Sequence, residues 1–251
     1  MKRLFYTFLT LILAFTYSKV TFADGHVYGP YPITLIGYSG DKTNSVKYTG
    51  QMARHVLHDS LKALVKNGDV DKMMSYYNGE DGLEIVSPKS KDNFTIKQTM
   101  VSEIGSGNLS GKTYKGAIAG WGNLTGPEVL EHMMIKAGEV EGGFDPNTGF
   151  DYTQLISKFA MGAVFYNQAV NNYLGKKMEI GEKPNSKPYK DGAYYTGKEH
   201  SWDEAFGYWG SAAHALTLSA KQNYNVAKKK DMKSADYNGD GVVDLYSEYT
   251  F

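Results

Sequence analysis

A repeated apolar stripe at helical spacing is the feature that most limits the fold of this chain. In residues 45–67 the apolar side chains recur every third or fourth position, which places them on one face of a helix. The stripe consists of Met52, Val56, Leu57, Leu61, Leu64 and Val65. Gly68 is a natural stop for this helix. Since no segment of strand periodicity follows residue 40, the sequence predicts an all-α fold, a helical bundle with long loops.

Further helices are predicted from the same periodicity and from end signals. They cover residues 69–77, 95–104, 127–140, 152–174 and 201–224. Asp151 is the predicted cap of the fourth of these helices, and Ser201 with Glu204 has the spacing of a capping box at the start of the last. Residues 79–93 and 176–197 are predicted loops, and a loop as long as the second is typically functional or mobile.

The first residues predict export. Lys2 and Arg3 precede an apolar run, residues 4–15, that is too short to span a bilayer, and small residues follow up to Ala23. This pattern predicts a signal peptide at residues 1–23 and a single helical domain at residues 24–251, located in the periplasm or outside the cell. The sequence contains no cysteine, which excludes disulfide bonds.

Charge limits the class of partner. The sequence carries 27 Lys and Arg residues against 27 Asp and Glu residues, so its formal net charge is zero. Because phosphate backbones are bound by a positive surplus, this balance argues against nucleic acid as a partner. No later segment is long and apolar enough to predict a membrane span in the mature chain. The partners expected are therefore a small molecule or a metal ion.

The densest polar and aromatic block predicts a functional cluster. Glu199, His200, Asp203 and Glu204 lie near a helix start, and His200 is three and four residues from the last two. A histidine and carboxylates on one helix face can bind a transition metal such as iron or zinc, or orient a water as a general base. The alternative is a set of acids placed by the helix dipole beside a hydrogen-bonded histidine.

Other histidines give weaker signals. His214 is predicted on the same helix face as Asp203, about three turns away, which is too far to share one metal. His55 and His58 are three residues apart on the first helix, but no third ligand accompanies them. The sequence contains no nucleophile elbow, phosphate-binding glycine loop or zinc-protease motif. We therefore assign no catalytic residue.

The last residues predict a calcium loop. Oxygen donors fall at the alternating positions of such a loop, with a glycine for the sharp turn. The donors are Asp236, Asn238, Asp240, the Val242 carbonyl and Asp244. The twelfth position, where an EF-hand has a bidentate acid, is Ser247, and Glu248 follows one place later. Calcium bound with the help of Glu248 is the prediction, and an Asx-rich turn without an ion is the alternative.

Three blocks resemble a known family of exported bacterial proteins. They are residues 161–174, MGAVFYNQAVNNYL; residues 199–210, EHSWDEAFGYWG; and residues 236–249, DYNGDGVVDLYSEY. Residues 50–54 are similar to the family's N-terminal helix. The family is domain-of-unknown-function family 4856, similar in character to imelysin-like helical proteins, and the resemblance covers roughly residues 28–251.

The resemblance implies a fold and a physiological setting. Imelysin-like proteins are two helical bundles associated with bacterial iron acquisition and carry a Gly-x-His-x-x-Glu motif. In this chain Gly197 is one residue farther from His200 than the glycine of the motif is from its histidine, and Asp203 replaces the glutamate of the motif. Family members continue with further helices, so the resemblance implies a fragment or a shortened member.

These observations predict an exported metal-binding accessory or binding protein, linked to uptake of a metal or nutrient. A binding role is favoured over catalysis. The alternatives are a metal-dependent hydrolase that uses the His200 cluster, with Glu199 or Glu204 as base, and a structural surface protein with a calcium staple.

Overall fold

The computed structural model describes residues 33–43 and 45–251, so the predicted signal peptide lies outside the described residues. The described part is predominantly α-helical, as predicted. Its α-helices are α1 (Thr49–Leu64), α2 (Val70–Asn78), α3 (Gly126–Gly138), α4 (Tyr152–Ala160), α5 (Gly197–Trp209) and α6 (Ala220–Ala227). Among these residues, no helix has the length and hydropathy needed to cross a membrane.

Helix α1 lies at the centre of the core. Its predicted stripe is buried, with Met52, Val56 and Leu57 fully so, and it packs against α2, α4 and α5. A short 3-10 turn, Val65–Asn67, extends it to Gly68, whose φ of 69° is the left-handed conformation that ends helices. The first predicted helix is therefore confirmed, including its stop signal.

The helix predicted over residues 152–174 has the expected extent but a different inner geometry. The Asp151 carboxylate accepts a hydrogen bond from Gln154 N at 3.2 Å and caps α4. From Met161–Gly175 the chain then forms a π-helix. Its wider turn changes which residues face inward, so Val170 is 40% exposed, whereas Phe165 is 7% exposed.

The predicted helix over residues 201–224 is wrong at its start and in its continuity. Helix α5 begins four residues earlier, where Thr196 accepts a hydrogen bond from Glu199 N, and the Ser201 hydroxyl instead donates to Gly197 O at 2.9 Å. The helix ends at Gly210, with a φ of 73°. A 3-10 turn, Ala215–Thr217, follows, and the next α-helix is α6, which Ser219 caps.

Short strands correct the prediction that strands are absent. β1 (Thr95–Ile96), in a segment predicted as helix, pairs in parallel with β4 (Val242–Val243), and Lys97 N donates to Val243 O at 2.9 Å. β2 (Phe144–Asp145) and β3 (Phe150–Asp151) form an antiparallel pair. The pairing partner of β1 lies far away in sequence, and tertiary pairing of this kind overrides a local helix preference.

The segment after β4 belongs to the hydrophobic core. Leu245, like Val243 of β4, is fully buried, and Tyr249 is 1% exposed. The ring of Tyr246 lies 5.7 Å from that of Tyr48, at the start of α1. The end of the described chain is thus packed on the helical body, next to the residues of the predicted calcium loop.

Candidate functional site

Residues 236–248, the acidic loop, fold as a series of turns closed by their own side chains. The Asp236 carboxylate accepts hydrogen bonds from the backbone N–H groups of Gly239, Asp240 and Gly241 at 2.8, 3.2 and 3.1 Å. Gly239 and Gly241 have φ values of 74° and 89°, a left-handed backbone that glycine adopts most readily. The glycines therefore let the chain wrap around the Asp236 carboxylate.

Asn238 and Asp240 follow at alternate positions of this turn. Asn238 Oδ1 accepts from Asp240 N at 2.8 Å, and Asn238 Nδ2 donates to Asp240 Oδ2 at 3.1 Å. Asp240 Oδ1 accepts from Val242 N at 3.0 Å. Asx turns of this kind keep the side-chain oxygens of the two residues close to the backbone of the loop.

Glu248, one place beyond the twelfth position, reaches the start of the loop. Its side chain is buried, and its Oε1 accepts from Tyr237 N and Asn238 N at 3.1 Å each. Its Oε2 accepts from Asp244 N at 2.8 Å. Burial raises the pKa of Glu248, and the negative charges of Asp236 and Asp240 add to this rise. Glu248 is therefore a buried acid whose charge is opposed by neighbouring acids.

Asp244 points elsewhere. Its carboxylate accepts from Lys97 Nζ at 2.9 Å and from Gln98 Nε2 at 2.8 Å, just after β1, while Leu245 N donates to Gln98 Oε1. Val242 pairs with Thr95 in the strand ladder. The structure thus brings Asp236, Asn238, Asp240 and Glu248 together and directs Asp244 to the β1 segment.

The second predicted site is the α5 cluster, which consists of Glu199, His200, Asp203 and Glu204. Because α5 begins at Gly197, Glu199 has a different role from the other three residues. Glu199 belongs to the capping box, because its carboxylate accepts from Thr196 N at 2.6 Å and from Thr34 Oγ1 at 2.5 Å. The other three residues lie together. His200 Nδ1 is 4.0 Å from Asp203 Oδ2, and His200 Nε2 is 3.5 Å from Glu204 Oε2.

His200 is enclosed by tyrosine rings. Its ring stacks on Tyr195 with centroids 4.8 Å apart, and Tyr189 lies at the same centroid distance. Burial lowers the pKa of His200, and its Nδ1 is buried without a hydrogen-bond partner. The ring is therefore neutral at pH 7, which is the form of histidine that binds metals.

The two carboxylates of the α5 cluster are held by hydrogen bonds from α1 and the segment before it. Asp203 Oδ2 accepts from Lys47 N at 2.5 Å, and Glu204 Oε1 accepts from Gln51 Nε2 at 2.8 Å. Burial raises the pKa of Asp203 well above its ordinary value. Within residues 33–43 and 45–251, no group of three or more His, Asp and Glu side chains is arranged to hold a metal ion.

Sequence reasoning missed the residues that complete this cluster. Tyr173, on the π-helix, is hydrogen-bonded to Glu204, and burial raises its pKa. Lys177 Nζ lies 3.6 Å from the centre of the Tyr173 ring. The polar face of residues 152–174 was the available signal, because Gln168 on that face is buried and donates to Lys112 O at 2.8 Å.

Among the described residues, His55, His58 and His214 do not form a metal site. His55 Nε2 lies 3.1 Å from the carbonyls of Gly207 and Tyr208, and His58 Nε2 lies 3.1 Å from Ser157 O. Burial lowers the pKa of His55 to about 3. His214 is not on α5, contrary to prediction. It is stacked on Tyr237 of the acidic loop at 4.6 Å.

These features define a mainly helical protein with an acid-rich loop beside a strand pair and a histidine–carboxylate cluster on α5. A family model described as Domain of unknown function (DUF4856) matches residues 131–242. The match runs from α3 into β4, covers less than half of the chain, and supports the predicted family. No curated protein and no solved structure matches the chain.

Proposed function

We propose that this chain is an exported, non-catalytic binding protein whose acidic loop takes up calcium and thereby fixes the end of the chain to the helical body. The observation that carries the proposal is the charge around Glu248. This buried carboxylate reaches back to the start of a loop that also holds Asp236 and Asp240, and both raise its pKa. A divalent cation relieves the repulsion among the three acids.

The donor chemistry favours calcium over a transition metal. The loop offers carboxylate and amide oxygens and backbone carbonyls, and hard cations prefer these ligands, whereas zinc and iron favour nitrogen and sulfur. Asp236, Asn238, Asp240 and the Val242 carbonyl are the proposed ligands, with Glu248 as the acid that closes the loop. Calcium also takes water as a ligand, so its site is not limited to His, Asp and Glu side chains.

The position of the loop gives the bound ion a structural role. Val242, one of the proposed ligands, begins β4, which pairs with β1, and the Asp244 carboxylate accepts hydrogen bonds from Lys97 and Gln98. An ion that orders the loop also holds Leu245 and Tyr249 in the core, and binding to the folded state alone stabilises it by RT ln(1 + [Ca²⁺]/Kd). The export element of the proposal rests on the leader pattern of residues 1–23.

Calorimetric titration of residues 24–251 with calcium tests the proposal. We expect the wild type to bind one ion, and the variants Asp240→Ala and Glu248→Gln to lose most of the heat. Asp145→Ala is the matched control, because Asp145 closes a similar turn through Asn147 N and Thr148 Oγ1 outside the acidic loop. A wild type that releases no heat, or equal binding by Glu248→Gln, contradicts the proposal.

A second candidate function is uptake of iron or zinc at the α5 cluster, with water or a small molecule as further ligands, because its side chains are not arranged to hold an ion by themselves. It is favoured by the neutral His200 ring with a partnerless Nδ1 beside Asp203 and Glu204. A metal-dependent hydrolase is the alternative use of the same residues, with Glu204 as base, since Glu199 caps the helix. Elemental analysis of protein purified without chelators distinguishes iron, zinc and calcium, and His200→Ala should lose the first two alone.

A further inference from the structure

Lys97 is a cation that the fold brings to the acidic loop from far away in the sequence. Its backbone N–H donates to Val243 O at 2.9 Å, directly after β1, so the pairing of β1 with β4 fixes its backbone beside the loop. Its side chain reaches Asp244, where Lys97 Nζ lies 2.9 Å from Asp244 Oδ2. Among the ion pairs of the described residues, this is the one that involves an acid of the acidic loop.

The two partners of this ion pair differ in how firmly they are held. Asp244 is buried, and its Oδ1 accepts hydrogen bonds from Gln98 Nε2 and from Tyr246 N at 2.8 Å each. The side chain of Lys97, by contrast, is 48% exposed. An ammonium group on a flexible, half-exposed side chain exchanges a carboxylate for water at little cost in free energy. The Asp244 carboxylate is therefore fixed, whereas the Lys97 ammonium group can move.

The charge of Lys97 acts beyond Asp244. The hydrogen bond to Asp244 and the negative charge of Asp244 raise the pKa of Lys97, and the charges of Asp240 and Glu248 add to this rise. Lys97 is therefore charged at pH 7, and it interacts with two of the proposed calcium ligands. Because the attraction between charges is mutual, Lys97 weakens the negative potential that a calcium ion meets at these ligands.

Lys97 offsets the repulsion within the loop only in part. The loop carries four carboxylates, those of Asp236, Asp240, Asp244 and Glu248. Burial raises the pKa of Glu248, and the charges of Asp236 and Asp240 still add to this rise in the presence of Lys97. A divalent cation therefore still has negative charge to neutralise, but it meets less of this charge than the acids alone would provide.

We propose that Lys97 is an internal counter-ion of the acidic loop and sets the calcium affinity of the loop. This inference rests on the calcium binding proposed above. Without calcium, the Lys97 ammonium group supplies part of the positive charge and ties β1 to the end of the loop. When calcium binds, the two cations repel each other, and the exposed Lys97 side chain turns from Asp244 towards water. Since the charge of a calcium loop tunes its affinity, Lys97 makes wild-type binding weaker.

Calorimetric titration of residues 24–251 with calcium tests this role. Lys97→Gln removes the competing charge and should bind calcium about three- to tenfold more tightly than the wild type. Lys97→Arg keeps the charge and should bind as the wild type does. Lys136→Gln is the matched control, because Lys136 on α3 is similarly exposed and forms an ion pair with Glu139, and it should leave the affinity unchanged.

Salt and thermal unfolding distinguish an effect of charge from an effect of packing. The difference in affinity between Lys97→Gln and the wild type should shrink as potassium chloride is added, because salt screens a half-exposed charge. In chelator, Lys97→Gln should melt at a lower temperature than the wild type, because the tie to Asp244 is lost. The rise in melting temperature on addition of calcium should be larger in Lys97→Gln, because tighter binding stabilises the folded state more.

The outcomes separate the role of Lys97 from the calcium site itself. If the wild type binds calcium and Lys97→Gln binds it equally or more weakly, the role of Lys97 is overturned and the calcium site stands. If only Lys97→Gln binds calcium, Lys97 is supported as the counter-ion and calcium binding by the wild type is contradicted. If neither protein binds calcium, both proposals are overturned.

Discussion

The acidic loop and the α5 cluster both bury a carboxylate, but different neighbours balance its charge. On α5, Asp203 accepts from Lys47 N and lies near His200, and Gln51 holds the adjacent Glu204. In the loop, Glu248 accepts backbone N–H groups and faces the charges of Asp236 and Asp240. Besides burial, one neighbouring acid, Glu204, raises the pKa of Asp203, whereas two acids raise the pKa of Glu248. The proposed calcium ion would offset the second repulsion.

The largest expected effect tests whether Leu245, near the end of the acidic loop, is part of the core. Leu245→Ala should cost about 2–5 kcal/mol of unfolding free energy, because Leu245 is fully buried. Trp209→Ala on α5 is the control, since Trp209 is 76% exposed, and it should change stability by less than about 0.5 kcal/mol. Urea titration measures both, and equal small losses would refute the packing of this segment.

Acid pH tests the histidine that stacks on the loop. Burial lowers the pKa of His214 to about 4. As the pH falls, the unfolded chain therefore binds a proton at His214 before the folded chain does. The contribution of the neutral His214 ring to stability is fully present above about pH 6.5 and is lost as the pH falls towards 4, by up to about 1.4 kcal/mol per pH unit.

His214→Phe keeps the stacking on Tyr237 without a titrating ring. Between pH 6.5 and 4, its loss of stability should be smaller than that of the wild type by about 3 kcal/mol. Urea titrations at several pH values give the comparison. Parallel pH curves for the two proteins would show that His214 does not carry this dependence.

Neutral replacements of the two buried acids sharpen the comparison between the sites. In the folded protein the pKa of each acid is raised above its unfolded-state pKa. The protein therefore loses stability as the pH rises from the unfolded-state pKa through the folded-state pKa. Without calcium, Asp203→Asn and Glu248→Gln should each match or exceed the wild type at pH 7, by up to about 1–3 kcal/mol. With calcium, we expect only Glu248→Gln to fall below it, and thermal unfolding with calcium or chelator measures the difference.

The smallest effect concerns the start of α5. Thr196→Ala removes the observed cap and should cost about 1 kcal/mol. Ser201→Ala, at the cap that the sequence predicts, should cost less, because its hydroxyl donates within the helix to Gly197 O. A larger loss of thermal stability in Ser201→Ala than in Thr196→Ala would favour a helix that begins at Ser201.

Local signals predicted much of this fold. The stripe of α1, the Gly68 stop and the Asp151 cap depend on neighbours within a few residues, and the structure confirms them. At α5, two capping patterns overlap, Thr196 with Glu199 and Ser201 with Glu204. The sequence offers no local reason to prefer the first.

Long-range contacts account for what was missed. Thr95 and Ile96 become a strand because Val242 and Val243 pair with them. The spacing of apolar residues does not distinguish the π-helix that buries Phe165 from an α-helix over so short a segment. Within the sites, the spacing of the acidic loop singled out Glu248, whose side chain accepts hydrogen bonds from Tyr237 N and Asn238 N, and its role as a calcium ligand stays a prediction. It gave no sign that Asp244 binds Lys97.

Hydrogen exchange with and without calcium tests the central claim most directly. If calcium orders the acidic loop and fixes the end of the chain to the body, peptides from residues 95–104 and 236–251 should both exchange more slowly in calcium, while peptides from α5 stay unchanged. Glu248→Gln should abolish the difference. Equal exchange of residues 236–251 in calcium and in chelator would contradict the claim that this loop is a calcium staple.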